Sequence, residues 1–183
     1  MRKSIIAILM TFCLSIMTYA QTPRDRATEL KEQAQSSLNQ KDYIKARYLF
    51  KKAYEAFATR ENYPQAIECG VQANALYVRE NFYKEGFELC RDMDQLIWAG
   101  EQNQKKVFYD LRFLVNKERL QMYTALKNPA QAKTQLNKLE ETANLAKNDS
   151  LTEVLLYTKA NYYYTFNQNT QGDACFRKLI NQY

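Results

Sequence analysis

A pair of residues, the first small and the second usually larger and apolar, recurs along the chain at nearly constant spacing. The two members lie four positions apart in each copy: Ala46 and Phe50, Gly86 and Cys90, Ala132 and Leu136, Gly172 and Phe176. The small residues are separated by 40, 46 and 40 positions. Two helices approach closely only where one offers a small side chain, and a residue one turn later fills the adjacent space. The pattern therefore predicts four antiparallel helix pairs.

A turn precedes the second helix of each pair, at 39–43, 81–83, 128–129 and 167–170. Pro129 suits the first turn of a helix, where its missing N–H breaks no hydrogen bond. The chain contains four Gly and three Pro, and so few breakers favour long helices over a many-turned β protein. We predict an all-α fold of about eight helices without a sheet. The expected pairs span about 24–60, 62–99, 103–146 and 150–183.

The first helices of the pairs carry apolar residues at matching distances upstream. Pair four shows this most clearly, with Leu156, Ala160 and Tyr163. Pair three has a long amphipathic first helix that includes Val107, but this helix lacks the small residue at the expected place. The six extra residues of the 46-residue spacing leave its register open.

The repeated pairs resemble the tetratricopeptide-repeat family over most of residues 24–183. The resemblance implies an α-α superhelix, or solenoid, in residues 21–183 that binds extended peptides along its concave face. A related all-helical solenoid is the structural alternative. By resemblance, the groove positions are the fifth, ninth, twelfth and thirteenth of each repeat, and their polar and aromatic members here are Lys31, Gln35, Asn39, Arg79, Lys117, Gln121, Tyr157, Asn161 and Tyr164.

Three of these groove residues, Gln35, Gln121 and Asn161, share the ninth place, and Ala75 interrupts the series. Side-chain amides both donate and accept hydrogen bonds, so a row of them can bind a peptide backbone without reading its side chains. The alternative is that these are ordinary solvated polar residues. The lysines and Arg79 would make the face mildly positive, which favours a neutral or slightly acidic peptide.

The first twenty residues have the three-part pattern of a secretory signal peptide. Arg2 and Lys3 precede an uncharged, mostly apolar run over 4–17, and Thr18 and Ala20 place small residues at the −3 and −1 positions before Gln21. The alternative, an uncleaved membrane anchor, would need a run of roughly 20 apolar residues. We expect residues 1–20 to be removed and the protein to be exported to the periplasm or cell envelope of a Gram-negative bacterium.

Cleavage would leave a net charge of +4, with 24 basic and 20 acidic side chains. The stretch 45–52 mixes bases with aromatic residues, as nucleic-acid binders do. Its aromatic residues fall at helical core spacing, and an exported protein rarely meets nucleic acid. We therefore interpret the stretch as a solvated basic face over a buried one, and expect no nucleic-acid partner.

The chain contains no histidine, which removes the commonest general base and metal ligand. No phosphate-binding loop, nucleophile motif or paired-carboxylate pattern is present, so we predict no enzyme, no catalytic residue, no metal and no cofactor. After cleavage three cysteines remain: Cys69, Cys90 and Cys175. Their spacing matches no zinc motif, and we interpret them as small buried apolar residues that form no essential disulfide.

Ser150 lies in an Asp-Ser-Leu sequence over 149–151 that matches a bacterial periplasmic O-glycosylation site. A structural explanation competes with modification. Ser150 followed by Glu153 has the pattern of a capping box that opens a helix at Leu151.

Two functions fit these features. The first is a non-catalytic scaffold that binds a protein or peptide in the cell envelope. The second is the periplasmic input region of a larger membrane-bound sensor of the histidine-kinase type. Helical spacing continues through Leu179, Ile180 and Tyr183 without a closing polar helix, although solenoids normally end in one. This favours a longer parent chain, and we expect membrane contact only through that chain or an uncleaved N-terminus.

Overall fold

The computed structural model describes residues 25–181, and this part of the chain folds into eight helices without a strand. The all-α prediction and the expected number of helices are therefore confirmed. The helices are α1 (Arg26–Asn39), α2 (Tyr43–Thr59), α3 (Tyr63–Arg79), α4 (Tyr83–Gln104), α5 (Tyr109–Ala125), α6 (Pro129–Ala146), α7 (Asp149–Thr165) and α8 (Asn169–Ile180). The predicted signal peptide, its cleavage site before Gln21, and Tyr183 lie outside the described residues.

Short connections of one recurrent geometry reverse the chain between most helices. One residue in each of the seven connections has a positive φ, and in the five connections of three residues it is Lys41, Glu61, Asn81, Lys127 or Asn167. The next amide donates to a carbonyl five residues back, for example Asp42 N to Ser37 O at 2.9 Å. This left-handed residue closes the helix and satisfies its last carbonyls. Pro129 opens α6 after Asn128, whose side chain accepts a hydrogen bond from the Gln131 amide.

The six extra residues of the 46-residue spacing lie at the end of α4. This helix has 22 residues, and the connection 105–108 follows it. Helix α5 has 17 residues, as α3 and α7 have, and it begins at Tyr109. The expectation of a longer first helix in pair three is therefore corrected, because Val107 lies in the connection. From α5 onwards, helices begin every 20 residues, as they do from α2 to α4.

Consecutive helices pack against each other, and α5 also contacts α3 and α7. The four small residues of the repeated pairs are all buried: Ala46, Gly86, Ala132 and Gly172. A Cβ atom added to Gly86 would lie 2.7 Å from Met122 Sδ on α5, and one at Gly172 would lie 2.9 Å from the ring of Tyr164 on α7. Close approach explains why these positions carry small side chains.

Two clusters of buried side chains form the core. The first extends from α1 to α5, and the second from α5 to α7. Helix α5 belongs to both, because Val115 and Met122 face the first cluster while Phe113 and Leu120 face the second. This helix therefore joins the two halves of the described chain.

The three cysteines of the described residues are buried free thiols. Burial raises the pKa of Cys90 to about 12 and that of Cys69 to about 11. The thiolate is the reactive form, so both thiols stay protonated and unreactive at neutral pH. This agrees with their interpretation as small apolar residues of the core.

Candidate functional site

A cleft between α5 and α7 brings together four of the residues predicted to line the groove. Lys117 and Gln121 lie one turn apart on α5, and Tyr157 and Asn161 lie one turn apart on α7. The cleft has a volume of about 400 Å³. Residues four apart share one face of a helix, so each helix presents two neighbouring side chains to the same space.

The remaining wall of this α5–α7 cleft is mostly apolar. Three threonines contribute to it, and each hydroxyl donates to a carbonyl of its own helix: Thr124 to Leu120 O at 2.7 Å, Thr158 to Val154 O at 2.7 Å, and Thr165 to Asn161 O at 2.8 Å. Their hydroxyl protons are therefore already used. The other lining residues are Leu120, Ala125, Lys127, Val154 and Tyr162.

The side-chain amides of Gln121 and Asn161 are the main hydrogen-bonding groups left for a ligand in this cleft. Both residues are exposed, and neither amide bonds to another side chain within residues 25–181. Lys117 and Lys127 also line the cleft, and no carboxylate is among its lining residues. The cleft therefore combines amide groups, an apolar wall and a positive charge.

A buried polar group lies directly behind Lys117. The carboxylate of Glu118 is almost fully buried and accepts a hydrogen bond from Asn74 Nδ2 of α3 at 3.1 Å. Lys117 Nζ lies 3.5 Å from its other oxygen. Burial raises the pKa of Glu118, while Lys117 and Asn74 act in the opposite direction. The sequence carried a signal for this group, since Glu118 falls at an apolar position of the α5 stripe.

Replacing Glu118 by glutamine is expected to increase the free energy of unfolding at pH 7. Because the folded-state pKa is raised, folding favours the protonated carboxyl. The stabilisation from the protonated carboxyl is complete below the unfolded-state pKa of about 4.3. It is lost as the pH rises through the folded-state pKa. Glutamine still accepts from Asn74 without burying a charge, so the gain should shrink towards pH 4.

Urea unfolding of both proteins at pH 7 and pH 4 tests this expectation. Glu141→Gln, a change at an exposed carboxylate of α6, is the matched control and should show little difference at either pH. A Glu118→Gln protein less stable than wild type at pH 7 would mean that the ionised carboxylate contributes net stability.

The groove candidates of the first helix lie outside the cleft. Lys31 donates to Gln65 Oε1 at 2.8 Å and forms an ion pair with Glu68 at 2.7 Å, so it connects α1 to α3. Gln35 Nε2 donates to Asn39 Oδ1 at 3.1 Å within α1. These three side chains are polar and accessible, and each already makes at least one contact within the described structure.

Arg79 and Tyr164 also pack against neighbouring helices. The guanidinium of Arg79 lies 4.0 Å from the ring centroid of Tyr43 on α2. The hydroxyl of Tyr164 donates to Asp173 Oδ1 at 2.5 Å, and its ring stacks on Phe176 at 5.8 Å, both on α8. These contacts hold helices together, and neither residue lines the α5–α7 cleft.

Helix α7 begins at Asp149, two residues before the expected start at Leu151. Asn148 is its N-cap residue, and Asn148 Oδ1 accepts a hydrogen bond from the Ser150 amide at 3.1 Å. The expected capping role of Ser150 is therefore wrong, because the amide side chain of Asn148 already fulfils it. Ser150 itself is exposed on the first helical turn, and its glycosylation stays a prediction.

Sequence reasoning missed a second cleft, of about 480 Å³, between α4, α5 and α6. Trp98 is 62% exposed on its α4 wall. The two arginines of its α5 wall are already paired, since Arg112 binds Glu101 and Arg119 binds Asp94 at 2.5 Å. The signal available in the sequence was the single tryptophan, which does not occupy the tryptophan position of the tetratricopeptide pattern.

Comparison with known proteins found no matching family model, no similar curated protein and no similar solved structure. Between residues 25 and 181, no helix is both long and apolar enough to cross a membrane. The same residues include no group of three or more Cys, Asp or Glu side chains placed to hold a metal ion.

Proposed function

We propose that this protein is a non-catalytic binding module that holds an extended peptide or protein segment in the α5–α7 cleft. The observation that carries the proposal is the convergence of Lys117, Gln121, Tyr157 and Asn161 on one space. The side-chain amides of Gln121 and Asn161 bond to no other side chain in the described chain, and an apolar wall adjoins them. Ligand sites in proteins commonly combine an apolar lining with a few convergent polar groups.

An extended backbone is the ligand that fits these groups best. Each peptide unit offers one N–H and one C=O, and each side-chain amide can pair with either. Tyr157 is largely exposed and offers contact area at low entropic cost. Lys117 and Lys127, with no carboxylate in the lining, favour a neutral or slightly acidic segment.

The proposal includes a tetratricopeptide-like superhelix in the cell envelope. The regular helix starts, the buried small residues and the contacts of α5 with α3 and α7 support a stacked array. Stacked pairs expose their first helices along a continuous surface. Export rests on the sequence pattern of residues 1–20, and a cleaved protein recovered from the envelope with Gln21 as its first residue would support it.

The proposed function predicts that changing Gln121 and Asn161 together to alanine weakens peptide binding about fivefold to 150-fold. Loss of two hydrogen bonds at about 0.5–1.5 kcal/mol each gives this range. Peptides selected from a displayed random library on the wild-type protein serve as probes, and titration calorimetry gives the Kd. Thermal unfolding should hardly change, because both side chains are exposed.

The matched control changes Gln33 on α1 and Asn137 on α6, an exposed pair of the same residue types outside the cleft, to alanine. Its Kd should stay within twofold of wild type. If the selected peptides bind both double variants equally well, the α5–α7 cleft is not their site. A selection that enriches no peptide would contradict the proposed function itself.

A further inference from the structure

The outer surface of α2 carries lysines around two exposed apolar side chains. We call this surface the basic face of α2, and it consists of Lys41 in the preceding turn with Ile44, Lys45, Tyr48, Lys51 and Lys52. Ile44 is 69% exposed and Tyr48 is 60% exposed. They lie one turn apart, so they project side by side from the helix.

The positive charge of this face is largely uncompensated. Lys41, Lys45 and Lys51 form no ion pair with any described residue. Lys52 pairs with Glu55 at 2.8 Å. The nearby carboxylate of Asp42 caps α2 by accepting a hydrogen bond from the Lys45 amide at 3.2 Å. A cluster of cations around apolar side chains is therefore presented to the surroundings.

The repeat provides an internal comparison for this face. Its register is set by residues with positive φ, which recur at Lys41, Asn81, Lys127 and Asn167 with the same 40, 46 and 40 spacing as the small residues. The counterparts of Ile44 are Lys84, Ala130 and Thr170, and those of Tyr48 are Glu88, Thr134 and Ala174. The fold therefore accepts polar or small residues at these exposed positions, and packing does not explain Ile44 and Tyr48.

A shallow cavity of about 380 Å³ adjoins the two apolar residues. Arg47, Lys51 and Lys52 line it, with Glu55 as its one carboxylate. Arg47 is held in place by an ion pair with Glu80 and lies 4.8 Å from the ring centroid of Tyr77. Because Lys52 pairs with Glu55, Lys51 is the cation of this cavity left to bind a phosphate group.

We propose that the basic face of α2 binds the surface of an anionic lipid bilayer. The lysines would contact lipid phosphates, while Ile44 and Tyr48 would enter the boundary between headgroups and acyl chains. Tyrosine is enriched at this boundary because its ring is apolar and its hydroxyl polar. A protein partner would need its own pocket for two projecting side chains, whereas a bilayer accepts them without one. This goes beyond the peptide-binding function and does not depend on it. It also departs from the expectation that the protein meets a membrane only through a longer chain or an uncleaved N-terminus.

Co-sedimentation of the full chain with vesicles tests the proposal. One set contains phosphatidylcholine with an equal amount of phosphatidylglycerol, and the other contains phosphatidylcholine alone. The anionic vesicles should bind the protein and the neutral ones should bind it far less. The change Lys41→Gln, Lys45→Gln and Lys51→Gln should reduce partitioning onto anionic vesicles about a hundredfold, at about fivefold per lysine.

The matched control changes Lys84, Lys133 and Lys178 to glutamine, which removes the same charge from exposed positions of α4, α6 and α8. It should weaken partitioning only severalfold. A second variant, Ile44→Ser with Tyr48→Ser, keeps every charge and should weaken partitioning at least tenfold. The N-terminal segment is the same in all these proteins, so a difference between two variants does not come from it.

Three results would overturn the proposal. The first is equal binding of wild type to anionic and neutral vesicles, and the second is an equal loss in the two lysine variants. The third has two parts. The protein binds polyglutamate and loses this binding in the α2 lysine variant, while the serine variant sediments with anionic vesicles as wild type does. That result would assign the face to an acidic protein.

Discussion

Replacing Phe50 by alanine is expected to lower the free energy of unfolding by about 3–5 kcal/mol. Phe50 is only 1% exposed and belongs to the core cluster that extends from α1 to α5. Its removal takes apolar area out of the core and leaves a cavity that the surrounding helices can fill only in part. Equilibrium unfolding in urea, followed by far-UV circular dichroism, measures the loss.

Phe176 provides the control for this prediction, because it occupies the same repeat position on α8. Phe176 is only partly buried, and its contacts include the rings of Tyr157 and Tyr164. Phe176→Ala should therefore cost clearly less than Phe50→Ala. If both variants lose the same free energy of unfolding, the burial of the large residue does not determine how much that residue contributes to stability.

Replacing Ala46 by leucine is expected to destabilise the protein by about 1–3 kcal/mol or more, since overpacking forces neighbouring helices apart. Ala46 is completely buried within the first core cluster. Leucine has nearly the same helix propensity as alanine, so the loss reports packing alone. The melting temperature of the variant is the measurement.

Ala75→Leu makes the same substitution at an exposed position in the middle of α3. We expect its melting temperature to stay within a few degrees of wild type. If Ala46→Leu melts where Ala75→Leu does, the close helix contact at Ala46 is misplaced.

The helical pairs could be predicted from the sequence because close contact leaves a local mark. A small residue followed four positions later by a larger one indicates the contact directly, as Gly86 does where it packs against Met122. The turns were also recognisable from Asn and Pro. The end of α4 was not, because neither glycine nor proline marks the connection 105–108. Lys105 adopts a positive φ there, and a lysine in the sequence does not predict this conformation as a glycine would.

The candidate site could be predicted in part. Repeat position identifies residues on the first helices, but it does not say how far neighbouring helices lie apart. Lys117, Gln121, Tyr157 and Asn161 lie around a cleft between α5 and α7. Lys31, at the same repeat position as Lys117, instead bridges α1 to α3 through Glu68. Such pairings depend on long-range contacts that the local pattern does not contain.

Glu118 shows a further limit of the sequence pattern. Its place in an apolar stripe suggested nothing about its partner, since Asn74 lies on another helix and 44 residues earlier. Buried polar groups require a hydrogen-bonding partner, so a polar residue on an apolar stripe predicts that a partner exists. Only the packing of α3 against α5 shows which residue it is.

The most direct test of the proposed function is nuclear magnetic resonance of ¹⁵N-labelled protein titrated with a selected peptide. The side-chain NH₂ signals of Gln121 and Asn161 should shift on binding, together with backbone amides of α5 and α7. Shifts confined to the surroundings of Trp98 on α4, or to the basic face of α2, with both NH₂ signals unchanged, would contradict peptide binding in the α5–α7 cleft.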